Sequence, residues 1–429
     1  MATLPSFLHK YPSVKYIRLQ FVDFSGILHT RFLTVQHCLD LIARDKYPTV
    51  GGKSLLHAVN DAISSIVPPA GLCELLPDWQ SLRICPYAPG HASVMCFVYD
   101  TDSSEPFHLC PRRKLVDQLE EWENVHAVTF SVGFEIEFAL LDAAGNVPED
   151  VDAVNAWSTT TGLRGTKLRL IEEIVEALQA SEIRVLLFHT DAPNQLQIVT
   201  GPSNPVDAID ALMQTHECIK HTSIRYGFRA TMAPKPLPED LATGAHAHIS
   251  IKPQNKRDNF LAGVLEDLPA IFAFTMPSYD SYHRVTGLRN NAGTWVAWGT
   301  ENRYVPIRAI KMDHWELRGL DATANFYLAL LTTLAGGMRG IKETIPLHSC
   351  DCRQNPYELR EDERRGLGIV VQLPKNLKES ITALKESTVF DAVLGSSLKQ
   401  QYIAVKEVDE RDMGALSAAA RREWFVKMF

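Results

Sequence analysis

Residues 133–142 read GFEIEFALLD, an apolar run that carries two glutamates, Glu135 and Glu137, two positions apart. Side chains alternate between the two faces of a β-strand, so this spacing makes both carboxylates project from the same side of a sheet. A glutamate pair alone is a weak signal, because the pattern is common on solvated strand faces. The apolar residues around the pair predict a strand that belongs to a folded core.

Two later runs repeat the spacing with other chemical groups. GAHAHISI contains His246 and His248, and HWELRGL contains Glu316 and Arg318. A histidine in a strand is often a neutral, hydrogen-bonded group, so each pair again has a purely structural explanation. Three such strands together would gather carboxylates, imidazoles and a guanidinium on one concave surface. That combination predicts a site for a divalent cation and for an anion held against it.

The composition is typical of a globular protein, with 45% hydrophobic and 22% charged residues. A length of 429 residues exceeds one ordinary core and predicts two domains. The net charge of −8 and the lack of a basic run argue against a nucleic-acid partner. The first residues lack the basic and apolar regions of a signal peptide, and no apolar stretch is suited to spanning a bilayer. We therefore expect a cytoplasmic protein without a membrane partner.

The cysteines predict a reducing environment. All eight stand outside any C-x-x-C pair or regular framework, so they are expected to be mostly buried thiols. Cys350 and Cys352 have the spacing of half a metal site, but nothing nearby in the sequence completes it. We interpret that segment as a loop.

The order of predicted elements divides the chain into two parts. Residues 1–104 contain several short alternating runs typical of strands, and a polar break then precedes a helical pattern. Residues 105–429 alternate strands and helices and end in a largely helical third. Within them, residues 183–188 are predicted as a strand, and Pro205 as the first turn of an amphipathic helix that buries His216.

Six segments occur in the order and at the spacing found in the glutamine synthetase superfamily. They are GFEIEF, HTDAPNQLQIVTGP, MAPKPLPEDLATGAHAHIS, SYHRV, WGTENRYVPIR and WELRGLDATANFYL. The chain resembles this superfamily, in its class I-related branch, over nearly its whole length. It is more similar to the glutamine-synthetase-like proteins of fungi and some bacteria than to the ammonia-assimilating enzymes.

The resemblance implies an α+β fold. A small N-terminal β-grasp-like domain, residues 1–104, would precede a catalytic domain, residues 105–429, built on a curved antiparallel sheet. It also implies an ATP-dependent ligase that phosphorylates the γ-carboxylate of glutamate and lets ammonia or an amine attack the acyl phosphate. The expected cofactors are Mg²⁺ or Mn²⁺, with ATP as co-substrate. The expected partners are a small carboxylate, an amine and further copies of the chain in a homo-oligomeric ring.

Metal ligands carried over from the family motifs fall into two groups. By resemblance, the cation nearer the ATP phosphates is held by Glu135, His246 and Glu316. The cation nearer the substrate carboxylate is expected at Glu137, Asp191 and Gln197. This second group departs from the family, because an aspartate and a glutamine replace two glutamates and the motif is one residue shorter. A neutral amide oxygen binds a hard cation weakly, so we expect this site to be weak, altered or empty.

Arginine suits the remaining roles because its rigid fork binds carboxylate or phosphate through two hydrogen bonds and keeps its charge. By resemblance, the substrate is bound by Arg284, Arg318 and His248. ATP and its phosphates are expected at Gly133, Ser250, Arg303, Arg308 and Lys311. The catalytic roles fall to Arg303, Arg284 and Arg318. The structural alternative is that several of these arginines only pair with acidic residues on a solvated face.

Two departures from the family pattern concern the substrate and the nucleotide. Leu241 and Ala242 stand where an Asn-Gly pair usually helps to hold the glutamate backbone. His314 replaces an arginine on the nucleotide side. The phosphate-facing residues are better kept than these, which is the pattern expected of a changed substrate or of partial loss of catalysis.

The ammonium site departs further. The acid that assists deprotonation of ammonium is replaced by Asn290 or Asn291, with Glu301 close enough in sequence to substitute. Residues 47–51, the nearest match to the acid-bearing segment that a neighbouring subunit supplies, contain no acid. An organic amine needs an apolar pocket more than a negative one, so these losses favour an acceptor other than ammonium.

Three classes of function stay open. The first is an ATP-dependent ligase that joins glutamate or another carboxylic acid to an organic amine, with ordinary glutamine synthesis as the alternative within that class. The second is a glutamine synthetase fold retained for assembly or regulation, and the third is chemistry with one metal and no ATP. Nucleotide binding discriminates them, because only the ligase must bind ATP. The sequence names neither the amine nor the acid.

Overall fold

The computed structural model describes residues 3–67, 70–149, 151–152, 156–191, 194–237, 242–285, 292–311 and 313–429. Two β-sheets and a set of helices around them make up the fold. This arrangement confirms the predicted α+β class.

The first sheet has six strands and is built from the N-terminal residues. Its strands are β1 (Tyr16–Val22), β2 (Leu28–Thr34), β3 (Thr49–Gly51), β4 (Leu72–Pro77), β5 (Arg83–Ile84) and β6 (His91–Asp100). Two helices accompany it, α1 (Leu4–Lys10) and α2 (Val35–Ala43). The strand order is β2-β1-β6-β4-β3, with β5 paired to β6 and with β1 and β6 parallel. The β-grasp assignment and the domain boundary after residue 104 stay predictions.

The second sheet has eight strands and is strongly curled into a half-barrel. Its strands are β7 (Thr129–Leu141), β8 (Val185–Thr190), β9 (Gln195–Thr200), β10 (Arg229–Thr231), β11 (Ala245–Lys252), β12 (Trp298–Thr300), β13 (Ile307–Lys311) and β14 (His314–Leu317). Their order is β12-β13-β14-β11-β7-β9-β8, and β10 pairs with β7. The pairs are antiparallel, as predicted, except for the parallel pair of β12 and β13 at one edge.

Helices cover this sheet and form the C-terminal third. They are α3 (Pro111–His126), α4 (Thr166–Ala180), α5 (Pro205–Arg225), α6 (Arg257–Thr275), α7 (Ser281–Val285), α8 (Phe326–Glu343), α9 (Glu361–Gly366), α10 (Leu377–Glu386), α11 (Asp391–Leu394), α12 (Ser396–Gly414) and α13 (Ala418–Met428).

Helix α5 begins where the sequence predicts. Pro205 occupies its first turn, and the Asn204 side chain caps it by accepting a hydrogen bond from the Val206 amide at 3.0 Å. His216 packs edge-on against Phe326, with ring centroids 6.1 Å apart. Burial lowers the pKa of His216 to about 3, so the ring is a neutral member of the apolar stripe, as predicted.

The strand predicted over residues 183–188 begins two residues later, at Val185. The Ile183 amide donates to the Leu178 carbonyl at 2.9 Å, and the Glu182 amide to the Gln179 carbonyl at 3.0 Å. These bonds close the C-terminus of α4, with Glu182 at a φ of 62°. Ile183 is therefore part of the C-terminal cap of α4, and its apolar side chain is buried there rather than in the strand.

One large hydrophobic cluster contains residues of both sheets and of the covering helices, including Leu75, Phe134 and Leu330. Arg112, buried at the start of α3, joins the two parts by ion pairs of 2.7 Å to Asp78 and 2.7 Å to Asp210. A buried guanidinium must be compensated, so this pairing fixes how the N-terminal strands lie against α5.

The cysteines follow the prediction, since all but Cys350 are buried free thiols. Cys350 and Cys352 lie in the irregular segment between α8 and α9, also as predicted. Among the described helices, none combines the length and the hydropathy that crossing a bilayer requires.

Candidate active site

The three sequence pairs lie on the neighbouring strands β7, β11 and β14 of the curled sheet, with Arg318 directly after the end of β14. The register places Glu135 opposite His246, and His248 opposite Glu316. Strand β13 adds Arg308, opposite Glu316. Cross-strand partners share a face of the sheet, so these side chains meet on one surface, as the spacing predicts.

Glu135, His246 and Glu316 form a compact cluster in which one ligand atom from each lies within 4.8 Å of the others. The Nδ1 atom of His246 is 3.1 Å from Oε1 of Glu316 and 3.4 Å from Oε2 of Glu135. Glu316 is fully buried and His246 nearly so, whereas Glu135 is half-buried. Two carboxylates and one imidazole form a donor set that Mg²⁺ and Mn²⁺ accept, so these residues fit the predicted cation.

Both carboxylates of the cluster are held in their ionised form. Burial alone would raise the pKa of Glu316, but the charge of Arg318 and the hydrogen bond from His246 outweigh it and hold that pKa well below its usual range. Burial is likewise outweighed at Glu135 by hydrogen bonds from His246 and His248, which lower its pKa. The site therefore carries two fixed negative charges.

The imidazole of the cluster responds to those charges. Burial and the nearby Arg318 would lower the pKa of His246, but Glu137, Glu135 and Glu316 together raise it to about 8. A surplus of negative charge thus draws a proton to this ring. Metal binding releases such protons, and a divalent cation would satisfy the same surplus.

The second predicted group is arranged more loosely. Glu137 lies opposite Gln197 on β9, and both are buried. Oε2 of Glu137 accepts a hydrogen bond from the Gly244 amide at 2.5 Å. Asp191 follows β8, where its amide donates to the Gln195 carbonyl at 3.0 Å. Among the described residues, Glu137 and Asp191 belong to no second cluster of His, Cys, Asp and Glu ligand atoms of this size. A second cation at these residues stays a prediction.

The register also places His189 beside this group, a residue that sequence reasoning missed. His189 lies opposite Gln197, so Glu137, Gln197 and His189 form one row across β7, β9 and β8. Its Nδ1 atom is 2.8 Å from the Thr190 carbonyl, which can only accept, so this nitrogen carries the hydrogen. Pairing the two strands as a tight hairpin would have found the row from sequence.

Arg284 is buried at the end of α7. Its Nη2 atom donates to the backbone carbonyls of Arg318 at 2.5 Å and Leu320 at 2.8 Å. Burial lowers the pKa of Arg284, although Asp321 and Glu137 oppose that shift. In the described part of the chain no acceptor reaches its buried Nε atom. A donor in this state is suited to an incoming carboxylate.

Two further arginines contact the metal cluster directly. Arg318 hydrogen-bonds Oε1 of Glu316, and Arg308 reaches Oε2 of the same carboxylate at 2.8 Å. Arg308 also donates from Nε to Glu301 at 3.0 Å. The alternative in which these arginines pair only on a solvated face is wrong for both, because their shared partner Glu316 is fully buried.

Arg303 has a different environment. Its guanidinium lies 5.5 Å from the centre of the Trp157 ring, a distance typical of a cation–π contact. Trp157 is 58% exposed and packs edge-on against His189, with ring centroids 5.9 Å apart. The surface next to Glu137 and Gln197 is therefore partly aromatic, which the sequence did not indicate.

The residues predicted at the nucleotide lie in register with the cluster. Gly133 is opposite His248, and Ser250 is opposite His314, which in turn pairs with Lys311. A Cβ on Gly133 would lie 2.9 Å from the Thr200 carbonyl, so glycine is needed for a close approach of backbone to backbone. The nucleotide contacts of Gly133, Ser250 and Lys311 stay predictions.

His248, predicted to bind substrate, is hydrogen-bonded at both ring nitrogens. Its Nε2 atom is 2.9 Å from Oε1 of Glu135, and its Nδ1 atom is 2.8 Å from Nε2 of His314. Burial lowers the pKa of His314. The predicted roles of Leu241, Asn290 and Asn291 fall on positions outside the described residues.

Comparison with known proteins agrees with this arrangement. A sequence model of the glutamine synthetase catalytic domain matches residues 108–425. Protein fluG of Emericella nidulans is 33% identical over 433 residues, which cover 99% of this chain and 50% of that protein. The chain thus spans about half the length of that relative. Glutamine synthetase of Methanocaldococcus jannaschii is 28% identical over 447 residues, covering 94% of this chain and 93% of the relative.

Solved structures show the same fold. A GmaS/ADP complex superposes with a TM-score of 0.85 at 22% identity and covers 99% of both chains. A novel glutamine synthase homolog does so with a TM-score of 0.82 at 23% identity, over 97% of this chain and 99% of that one. The match to fluG confirms the expected similarity to fungal glutamine-synthetase-like proteins. On the extent of the catalytic-domain match and the identity to fluG, the chain belongs to the glutamine synthetase family and carries the catalytic domain of its ATP-dependent carbon–nitrogen ligases.

Proposed function

We propose that this chain joins the carboxyl group of glutamate, or of another acid, to an organic amine by way of an acyl phosphate formed from ATP. The observation that carries the proposal is the buried cluster of Glu135, His246 and Glu316, with Arg308 and Arg318 bonded to it on one sheet surface. Phosphoryl transfer depends on charge neutralisation and positioning, and this surface supplies both.

The proposed metal sites follow from the donor sets. Glu135, His246 and Glu316 would hold the cation nearer the ATP phosphates, and Glu137 with Asp191 and Gln197 the weaker one. When bound, Mg²⁺ or Mn²⁺ supplies positive charge to the phosphate oxygens. The chain's own part is to fix the carboxylates in place, which the hydrogen bonds at Glu135 and Glu316 already do.

The proposed anion contacts follow from the arginines. Arg284 and Arg318 would grip the substrate carboxylate, and the buried Nε of Arg284 supports this because it has a hydrogen to donate. A substrate contact of His248 would require one of its two hydrogen bonds, to Glu135 or to His314, to open. Arg303 and Arg308 would face phosphate groups. Gly133, Ser250 and Lys311 would lie along the nucleotide. The structural neighbour that was solved with ADP supports a nucleotide-binding role for the shared fold.

The proposed acceptor is an organic amine. The Trp157 ring next to Arg303 offers an exposed aromatic surface beside the row of Glu137, Gln197 and His189. Such a surface suits the hydrocarbon part of an amine better than it suits ammonium. Ordinary glutamine synthesis is the second candidate, favoured by the 28% identity to glutamine synthetase over 94% of this chain.

The test is phosphate release by the purified protein with ATP, Mg²⁺ and glutamate while the amine is varied. The panel should contain ammonium, methylamine and a hydrophobic primary amine, each with and without glutamate. Glu135→Gln should abolish release. Glu182→Gln is the matched control, because Glu182 is exposed and its carboxylate bonds Lys10 and Tyr11 at the C-terminal end of α1.

The outcomes separate the candidates. Higher turnover with an organic amine supports the proposal, and higher turnover with ammonium than with every organic amine leaves ordinary glutamine synthesis. No release with any amine, together with no ATP binding, would favour a fold retained for assembly or regulation. The ring-shaped homo-oligomer and the cytoplasmic location belong to the same proposal and rest on the family alone.

A further inference from the structure

His314 lies at the end of a short hydrogen-bonded chain that leads into the metal cluster. Its Nε2 atom is 2.8 Å from Nδ1 of His248, and the two rings meet edge-on with centroids 5.0 Å apart. Nε2 of His248 is in turn 2.9 Å from Oε1 of Glu135. The three residues lie on the adjacent strands β14, β11 and β7. At this edge of the cluster the ring of His314 thus contacts the ring of His248.

Hydrogen-bond chemistry gives the chain a direction. A carboxylate oxygen accepts hydrogen bonds, so Nε2 of His248 is the donor to Oε1 of Glu135. When the His248 ring carries a single hydrogen, Nδ1 has the lone pair and accepts. The remaining donor is Nε2 of His314. One set of tautomers therefore satisfies both bonds: Glu135 fixes the hydrogen on Nε2 of His248, and His314 donates to Nδ1 and so holds the orientation of the ring.

The hydrogen bond from His248 engages one of the two carboxylate oxygens of Glu135. Its Oε1 atom is engaged by His248, while its Oε2 atom faces Nδ1 of His246 at 3.4 Å, inside the cluster. Oε1 of Glu135 is thus held by His248, and Oε2 would be the oxygen available to a cation in the cluster. Ligating carboxylates in proteins are commonly held in this way, and loss of the holding group typically weakens metal binding by about 10- to 100-fold.

We propose that His314, acting through His248, is a positioning residue that presents Glu135 as a one-oxygen ligand to the cation nearer the ATP phosphates. The proposal rests on the metal binding that the proposed function requires, but not on the identity of the acid or the amine.

A purely structural role for the half-buried ring makes a different prediction. If His314 only filled space between β13 and β11, a ring of similar size without a donor would serve equally well. If it donates to His248, a non-aromatic side chain with an N–H donor of similar reach would preserve function. His314→Phe and His314→Gln separate these two roles. His108→Phe is the control, because His108 is likewise half-buried and its Nδ1 atom bonds the Glu105 carbonyl rather than a group of the cluster.

The experiment is a calorimetric titration of the metal-free protein with Mn²⁺, without nucleotide. We expect His314→Phe to raise Kd about 10-fold or more, and His314→Gln and His108→Phe to stay within about 3-fold of the unmodified protein. Equal Kd values for His314→Phe and the unmodified protein would overturn the proposal. So would equal weakening by Phe and Gln, or a lack of Mn²⁺ binding by the unmodified protein.

A second measurement does not depend on metal. In the metal-free protein, ¹⁵N spectra of histidine side chains should show His248 as the tautomer with hydrogen on Nε2, assigned by its loss in His248→Gln. In His314→Phe the Nδ1 signal of His248 should shift, because this acceptor loses its donor, while the hydrogen stays on Nε2. Unchanged signals in the variant would contradict the proposed direction. Mn²⁺ binding that depends on His314, without phosphate release for any amine, would leave this inference standing and remove the ligase proposal.

Discussion

Glu316 is predicted to be both a metal ligand and a structural anchor, whereas Glu135 is predicted to be a ligand only. Glu316 is fully buried and contacts Arg308, Arg318 and His246. Glu135 is half-buried, and neutralising it relieves repulsion from Glu316. We therefore expect Glu316→Gln and Glu135→Gln both to lose a bound cation but to differ in stability.

The expected difference in stability between Glu316→Gln and Glu135→Gln follows from the buried ion pairs of Glu316. Breaking a buried pair by removing one partner typically costs about 3–5 kcal/mol. Arg308 keeps its second contact with Glu301, so we expect the lower end, about 3 kcal/mol. An unfolding entropy of about 2.1 cal/mol/K per residue gives about 0.9 kcal/mol/K for 429 residues, so Tm should fall by about 3 °C. Glu135→Gln should stay within about 1 °C, as expected for a substitution that leaves no buried charge unpaired.

The assay is thermal unfolding of the three proteins in EDTA, so that lost metal binding does not contribute to Tm. Metal content after dialysis against Mn²⁺ is measured in parallel, with His246→Ala as a third ligand variant. A Tm for Glu316→Gln within 1 °C of the unmodified protein would refute the anchoring role. Unchanged metal content in all three ligand variants would refute the cluster as a metal site.

Three further predictions concern packing, acid stability and assembly. Gly133→Ala should destabilise the protein by about 1–3 kcal/mol in urea unfolding, because its Cβ would lie 2.9 Å from the Thr200 carbonyl; an unchanged midpoint would contradict that contact. His216 has a folded pKa of about 3, so it supports stability above its unfolded pKa of about 6.5, and this support is lost as the pH falls toward 3. His216→Leu should therefore gain about 2 kcal/mol relative to the unmodified protein between pH 7.5 and pH 5, and parallel pH profiles would exclude this role. Light scattering should give the mass of a ring several times the 48.0 kDa chain, whereas a stable monomer at working concentration would contradict the ring.

The spacing of each residue pair predicts that its two side chains share a face of the sheet, whereas the choice of Glu135, His246 and Glu316 as one ligand set came from the family resemblance. The period of two along a strand places Glu135 with Glu137 and His246 with His248, whatever the neighbouring strands are. The family resemblance, carried by the order of the motifs, then indicated that the strands with these pairs lie next to one another. The structure adds that His246 is within 3.4 Å of both carboxylates of the cluster, which no spacing rule gives.

Other features depended on register and on loop conformation. His189 joins the row of Glu137 and Gln197 only through the pairing of β8 with β9. Trp157 reaches Arg303 from a connection with no periodic pattern, so its position follows from tertiary packing alone. The strand start at Val185 was mispredicted because an apolar residue next to a helix end serves the cap as well as it would serve a strand.

Whether Glu301 can act on the amine acceptor depends on the charged group with which its carboxylate is paired. By sequence it could replace the missing acid of an ammonium site. In the structure its carboxylate is already bonded by Arg308, which also binds the buried Glu316. An ammonium ion would have to compete with a guanidinium that is held in place from both sides, and a Lys- or ammonium-like point charge matches a carboxylate less well than that fork does. A primary organic amine is also mostly protonated at neutral pH and must lose a proton before it attacks, so Glu301 is no more available to it than to ammonium. The pairing of Glu301 with Arg308 therefore argues against Glu301 as the acid that deprotonates either acceptor, and the preference for an organic amine rests on the apolar surface of Trp157, which can contact a hydrocarbon group.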